Sequence, residues 1–261
     1  MTYCVAISTN KGLVFCSDSR TNAGADILFS HSKMHVFNPL PDRMFVMLTA
    51  GNLATTQAIT ARIEHDLTNP EATINLRTSS SMNEAAKYIC QVNREEQARA
   101  QETTASSGID TSASLLFGGQ IKGGKHKIYM MYSAGNFITD SEHTPFLQIG
   151  ENKYGKPILD RIITRDTSLD DAARCALVSM DSTIRSNATV GPPIEVLVYE
   201  KDSFRSNHYI RLEGEDQYLI DIRQRWNEAL KTAFAELPQF EWEKRGANND
   251  NILPINQDQQ Y

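Results

Sequence analysis

Short blocks of apolar residues dominate the first fifty positions, and a spacing of three and four replaces them further on. Residues 3–8 read as a strand, 9–12 as a turn ending in Gly12, and 13–17 as a second strand, so a hairpin opens the chain. A polar stretch containing Asn22 and Gly24 follows. A short strand is predicted near 34–37, broken by Pro39 and Pro41. Residues 44–49 are apolar almost throughout and predict a strand buried on both faces.

Two helices come next. The first starts near Asn52, places Leu53, Ala54, Ala58, Ala61, Ile63 and Leu67 on or beside one stripe, and closes at Asn69-Pro70. The second starts with Ser81 as N-cap and Glu84 three residues on, a capping-box pattern, and runs to about Gln101. Strands are predicted over 112–121 and 127–132, joined through Gly123-Gly124, and over 146–149. Helices follow over 154–163 and 168–185, the latter with Ser168 and Asp171 as a capping box, and a closing strand over 194–199. Strands, two helices, strands, two helices, strand: two antiparallel sheets packed face to face, with helices on both outer faces, satisfy this order. The predicted fold class is therefore α+β, a four-layer αββα sandwich spanning 1–200. An extension covers 201–261, with one more strand near 209–212. A helix over 215–237 carries Leu219, Ile222, Trp226, Leu230 and Phe234 on a core or interface stripe. From Gly246 the chain turns to Asn and Gln, the composition of a mobile tail or one ordered by a partner.

Composition changes little in this picture but narrows the function. The 261 residues are 40% hydrophobic and 22% charged, ordinary for a globular protein. A net charge of −6 gives no basis for broad binding to nucleic acid or anionic membranes. No apolar run is long enough to span a bilayer, and the first residues lack a secretory signal's basic and apolar blocks. Cys4, Cys16, Cys90 and Cys175 sit in strand-like or helix-like runs without a C-x-x-C pair, which points to buried free thiols and a cytoplasmic protein. No cofactor is expected.

The candidate chemistry lies at the start. Thr2 follows Met1, so removal of one residue would leave a hydroxyl and a free α-amine together. Such an amine has a reference pKa of about 7.7–8.0, and a useful fraction is neutral near physiological pH. Asp18, in a Ser17-Asp18-Ser19-Arg20 run, and Lys33 are charges that could tune it. Each residue alone is commonplace: Asp18 as a turn or salt-bridge residue, Lys33 as solvated surface, Gly51 as a tight strand-to-helix turn. The joint spacing carries the signal.

Thr2, Asp18-Ser19-Arg20, Lys33 and the run from Thr49-Ala50-Gly51-Asn52 to Ile59 resemble the proteasome β-type peptidases, a family of N-terminal-nucleophile hydrolases. The extension makes the chain most similar to the bacterial ancestral β-subunit (Anbu) group. The resemblance implies that Thr2 is the nucleophile, that Lys33 sits beside its hydroxyl, and that Asp18 pairs with Lys33. The Gly51 N–H would face the developing oxyanion, with Ser19 and Arg20 in the scaffold beneath. It also implies peptide or protein substrates and self-association into a ring or spiral; nothing names an ATPase partner. Thr21, Asn22, His31, His35, Thr49 and Leu53 are the expected substrate-binding residues. His31 and His35, alternating about Lys33, suit a specificity pocket better than a metal site.

Three positions depart from that family's pattern. Glu151 follows Gly150 where a Ser is usual, and Asn187 and Val190 take the places of an Asp and a Ser before Gly191. Low or narrow activity on standard peptides follows, because those groups help to place protons around the nucleophile. A different amide hydrolase chemistry, or an assembly subunit with a vestigial site, are the competing readings.

Overall fold

The computed structural model describes residues 1–22, 28–106, 108–206 and 208–246, with the backbone alone at 22, 28, 29 and 244–246. Five strands form one antiparallel sheet in the order β10 (Phe146–Gly150), β1 (Tyr3–Thr9), β2 (Gly12–Asp18), β11 (Ile194–Glu200) and β12 (His208–Leu212). Five more form a second, in the order β5 (Met34–Leu40), β6 (Arg43–Gly51), β7 (Ala113–Ile121), β8 (Lys127–Met131) and β9 (Phe137–Thr139). A ribbon of β3 (Arg20–Asn22) and β4 (Leu28–Ser30) stands apart.

The two sheets pack on each other through Cys4, Ala6, Phe15, Val46, Leu48, Leu116 and their neighbours, one face of each strand. The opposite face of the second sheet packs Phe45, Met47, Leu115 and Phe117 under α1 (Leu53–Thr68) and α2 (Met82–Thr104). On the first sheet α4 (Leu169–Ser186) lies over β1, β2 and β11, with α3 (Lys156–Ile162) beside it. The result is the predicted αββα sandwich. Being covered on both sides explains why β1 and β2 are buried at every position, which erases the polar alternation of a half-solvated strand.

Local chemistry sets the element ends. Asn52 caps α1 by accepting the Thr55 N–H (3.2 Å), Ser81 caps α2 from Glu84 N–H (3.2 Å), and Ser168 caps α4 from Asp171 N–H (3.1 Å). The Glu84 carboxylate takes the N–H and hydroxyl of Ser80, one residue before the cap it was expected to bridge. Helix α3 is shorter than the periodicity predicts, because Pro157 sits in its first turn and fits only a start. Pro39 does not end its strand: it lies within β5, where the register with β6 shifts between Phe37 and Leu40. An edge strand tolerates that missing donor. Strands β3, β4 and β9, three residues each, are too short for a pattern to register.

The chain divides into two compact units, 1–220 and 221–261. Strand β12, near the predicted 209–212 segment, belongs to the first unit and extends its sheet beside β11. The second holds the remainder of α5 (Gln217–Ala235) and α6 (Glu241–Gly246), in which Phe240 and Trp242 stack at 4.2 Å. Leu219 is buried while Leu230 and Phe234 on the α5 stripe are exposed. The Asn- and Gln-rich tail predicted from Gly246 lies, from 247 on, outside the described residues.

Candidate active site

Thr2 immediately precedes β1 and is held by backbone alone. Its carbonyl accepts the Glu151 N–H at 2.7 Å, and Tyr3 registers with Gly150 on β10. Gly150 has φ +80°, and a Cβ there would lie 1.9 Å from the Thr2 carbonyl oxygen, so only glycine admits this approach. The next side chain anchors the segment from below. The Tyr3 hydroxyl shares a 2.6 Å hydrogen bond with Ser179 Oγ on α4 and accepts one from Gln148 Nε2 on β10 at 2.7 Å.

Asp18 ends β2, buried completely, and gathers the site around it. Its Oδ1 accepts the Lys33 ammonium at 2.7 Å and the Tyr3 N–H at 3.0 Å, while Oδ2 accepts the Gly191 N–H at 3.3 Å. Lys33 Nζ also donates to the Arg20 carbonyl at 2.8 Å. Burial pushes the Asp18 carboxyl up from the ordinary carboxylate range, against the pull of the Lys33 charge and the donors from Lys33, Tyr3 and Gly191. The α-amine of Met1 is shifted down from 8.0, first by partial burial and then by the Lys33 charge; Asp18 and Glu151 oppose this. A cation thus stands where it favours the neutral form of an amine at the head of the chain.

A cavity of about 260 Å³ opens over this arrangement. Thr2, Lys33, Thr21, His31, Thr49, Gly51 and Leu53 all line it, which unites residues spread over fifty positions of sequence. Arg20, Ala50, Asn52 and Thr56, which the sequence named as scaffold or motif residues and not as substrate-binding ones, line it too. Gly51 has φ +114°, and a Cβ would meet the Ser112 carbonyl at 2.2 Å. It precedes the capped start of α1, whose partial positive charge favours an anion.

His35 is not on the cavity wall. Strand β5 begins at Met34, and the Lys33 carbonyl just before it still accepts the Thr49 N–H at 3.0 Å, yet of Lys33 and His35 only Lys33 lines the cavity. His35 registers instead with Met47 of β6, and burial, with His31 next, lowers its pKa to about 4. The Asn22 side chain lies outside the described residues.

On the far side of Thr2 stand the departures. Asn187 Nδ2 donates to Glu151 Oε2 at 3.2 Å, and Asn187 Oδ1 accepts the N–H and the hydroxyl of Thr189 at 3.0 and 2.6 Å. Val190 is fully buried. Nothing in the sequence pattern singled out Gly191 N–H or the Arg20 carbonyl as partners of the charged pair; backbone groups carry no residue-type signal. Cys4, Cys16, Cys90 and Cys175 are buried free thiols. Among the described residues no helix is long and apolar enough to cross a membrane, and no three His, Cys, Asp or Glu converge as metal ligands.

Two face-to-face antiparallel sheets covered by helices on both outer faces are the αββα fold of the N-terminal-nucleophile class. The model of the family described as proteasome subunit matches residues 2–199, and the chain belongs to that family. Solved structures to which it is similar include several that carry the Anbu (ancestral beta-subunit) name. It is 45% identical to the protein from Yersinia bercovieri, over 92% of this chain and 98% of that one, with a TM-score of 0.85. It is 43% identical to the chain of a helical assembly of the Anbu complex from Pseudomonas aeruginosa, over 95% and 100%, with a TM-score of 0.86. A Gly-1 mutant of Anbu from Hyphomicrobium sp. strain MC1 is 39% identical over 92% and 100%, with a TM-score of 0.86. No curated protein matches.

Proposed function

We propose that this protein is a threonine-type amide hydrolase whose nucleophile is the Thr2 hydroxyl, acting on peptides after removal of Met1. The supporting observation is the 2.7 Å Lys33–Asp18 pair, buried beside Thr2 on a shared cavity. With Met1 attached, the Thr2 nitrogen is an amide and cannot take a proton. Once it is free, the Thr2 amine accepts the hydroxyl proton, directly or through one water, as Oγ attacks the carbonyl carbon. Lys33, held in place by Asp18, lowers the cost of the developing alkoxide. The Gly51 N–H donates to the oxyanion, a contribution worth roughly 3–4 kcal/mol in other hydrolases. The amine then protonates the leaving nitrogen, and water hydrolyses the acyl-enzyme.

Thr21, His31, Thr49 and Leu53 form the substrate wall in this reading. The chain works in a reducing, cytoplasmic compartment and as a self-associated oligomer, as the Pseudomonas relative's helical assembly supports. The Glu151–Asn187 pair favours a second, narrower reading, in which the same nucleophile cleaves small acyl-amides better than standard peptides.

Intact mass before and after treatment with an electrophile directed at N-terminal threonine tests the proposal. Mature protein should begin at Thr2, gain one adduct, and lose labelling on Thr2→Ala and at least a thousandfold of its rate, roughly, on Lys33→Ala. Correctly processed protein that takes no adduct, or full turnover with Met1 retained, refutes it. Comparing a peptide library with small acyl-amides separates the two substrate readings.

A further inference from the structure

Behind the charged pair lies a second buried carboxylate that the proposed mechanism does not use. Glu195, on β11, is 2% exposed. Among the described residues no cation lies within ion-pair distance of it; hydroxyls surround it instead. Ser19 Oγ donates to Oε2 at 3.1 Å, and Ser32 Oγ donates at 3.0 Å to Oε1 and 2.8 Å to Oε2. The Tyr209 hydroxyl donates to Oε1. A carboxylate taken out of water without a counter-charge costs free energy that only such donors offset, and an apolar residue here would avoid the cost.

The placement of the donors suggests what this arrangement does. Ser19 directly follows Asp18 and precedes Arg20, whose carbonyl accepts Lys33. Ser32 directly precedes Lys33. One carboxylate therefore ties together the two backbone segments that carry the acid and the cation, each through a hydroxyl one residue away. Ser32 lies just before β5, between two backbone bonds, from the His31 N–H to the Ser19 carbonyl at 2.9 Å and from the Thr49 N–H to the Lys33 carbonyl at 3.0 Å, and its hydroxyl adds a side-chain tie to the same segment. The third donor, Tyr209, sits on β12, beyond the segment that the family model matches.

We propose that Glu195 is a positioning residue, clamping Ser19 and Ser32 so that Lys33 stays on Asp18 and aimed at Thr2, with Tyr209 of β12 closing the clamp. The inference rests on the Thr2 mechanism for its kinetic consequence, not for its structural one. A misplacement of an ångström or less at a reacting group is enough to cost one or two decades of rate.

The test compares Glu195→Met, which removes every acceptor, with Glu195→Gln, which keeps the side-chain length and can still bond the hydroxyls. Two readouts are taken: saturation kinetics of electrophile labelling, and the Lys33 Nζ–Asp18 Oδ1 separation in crystals of each variant. Glu195→Met should label about tenfold more slowly at unchanged half-saturation, with the pair opened beyond 2.7 Å. Glu195→Gln should recover most of the rate and the short contact. If Glu195→Met does not fold, Ser19→Ala combined with Ser32→Ala should reproduce its phenotype, and Tyr209→Phe should show a weaker form. Equal effects of Met and Gln, or a pair that stays closed at wild-type labelling rate in the clamp variants, would overturn the clamp. Should the wild type itself take no label, the Thr2 mechanism fails, and the crystallographic separation still decides for or against the clamp.

Discussion

The two flanks of Thr2 are built on different principles. On one, Asp18 and Lys33 form a 2.7 Å ion pair, buried and fixed by backbone groups of Tyr3, Arg20 and Gly191. On the other, Glu151 meets a neutral amide, Asn187, which is itself spent on Thr189. At the α-amine of Met1, Lys33 of the first flank lowers the proton affinity, while its partner Asp18 and, on the second flank, Glu151 raise it. The ion-pair flank carries the residues on which the family resemblance rests, and the other carries those read from the sequence as departures from it. In the proposed reading, one flank activates the hydroxyl and the other handles the protons around it differently, which is the ground for proposing a narrower task than general peptide cleavage.

Breaking the ion-pair flank should have the largest effect. Asp18→Asn leaves a buried ammonium without its counter-charge, a loss of about 3–5 kcal/mol that thermal and urea unfolding would register together with lost labelling. Near wild-type stability and activity would show that the charge on Asp18 is dispensable.

His35, behind the same flank, gives a smaller and pH-dependent effect. Its pKa is held near 4 by burial and His31, while Glu195 pulls the other way; the ordinary value is 6.5. Between those two values the unfolded chain binds the extra proton, so stability is complete above the upper one and falls as pH drops toward the lower one. Urea unfolding at pH 7 and pH 5 should differ by about 2 kcal/mol more in the wild type than in His35→Asn. Parallel pH slopes would place a protonatable His35 in solvent.

The smallest effect sharpens the contrast from the other flank. Glu151 raises the proton affinity of the Met1 α-amine, and if it does the same for the Thr2 amine after processing, Glu151→Gln should move the rising limb of the labelling-rate profile to lower pH. A limb that moves up, or not at all, would mean that Glu151 does not face the amine in the processed enzyme.

Much of this was legible in the residues. Asn52, Ser81 and Ser168 announced three helix starts because a cap is a local bond between a side chain and an amide two or three residues on. Both the layer order and the stretch holding Thr2, Asp18, Lys33 and Gly51 followed from patterns within reach of one another along the chain. Alternation along the sequence put His35 with Lys33, but which residues line one cavity depends on the packing around them, and His35 lies away from the cavity that Lys33 lines. Pro39 was misjudged because whether a missing donor matters depends on which strand lies at the sheet edge.

The chain by itself determined the longer elements and their caps, since these depend on side-chain type and spacing, and it offered a candidate reactive set through a family resemblance. Only the tertiary structure decided which groups meet: Gly191 N–H on Asp18, the Arg20 carbonyl on Lys33, Asn187 on Glu151, and three hydroxyls on Glu195. Most of these contacts join residues far apart in sequence, and two are made by main-chain atoms that every residue possesses. Their partners are chosen by the packing of the two sheets, which no local pattern encodes.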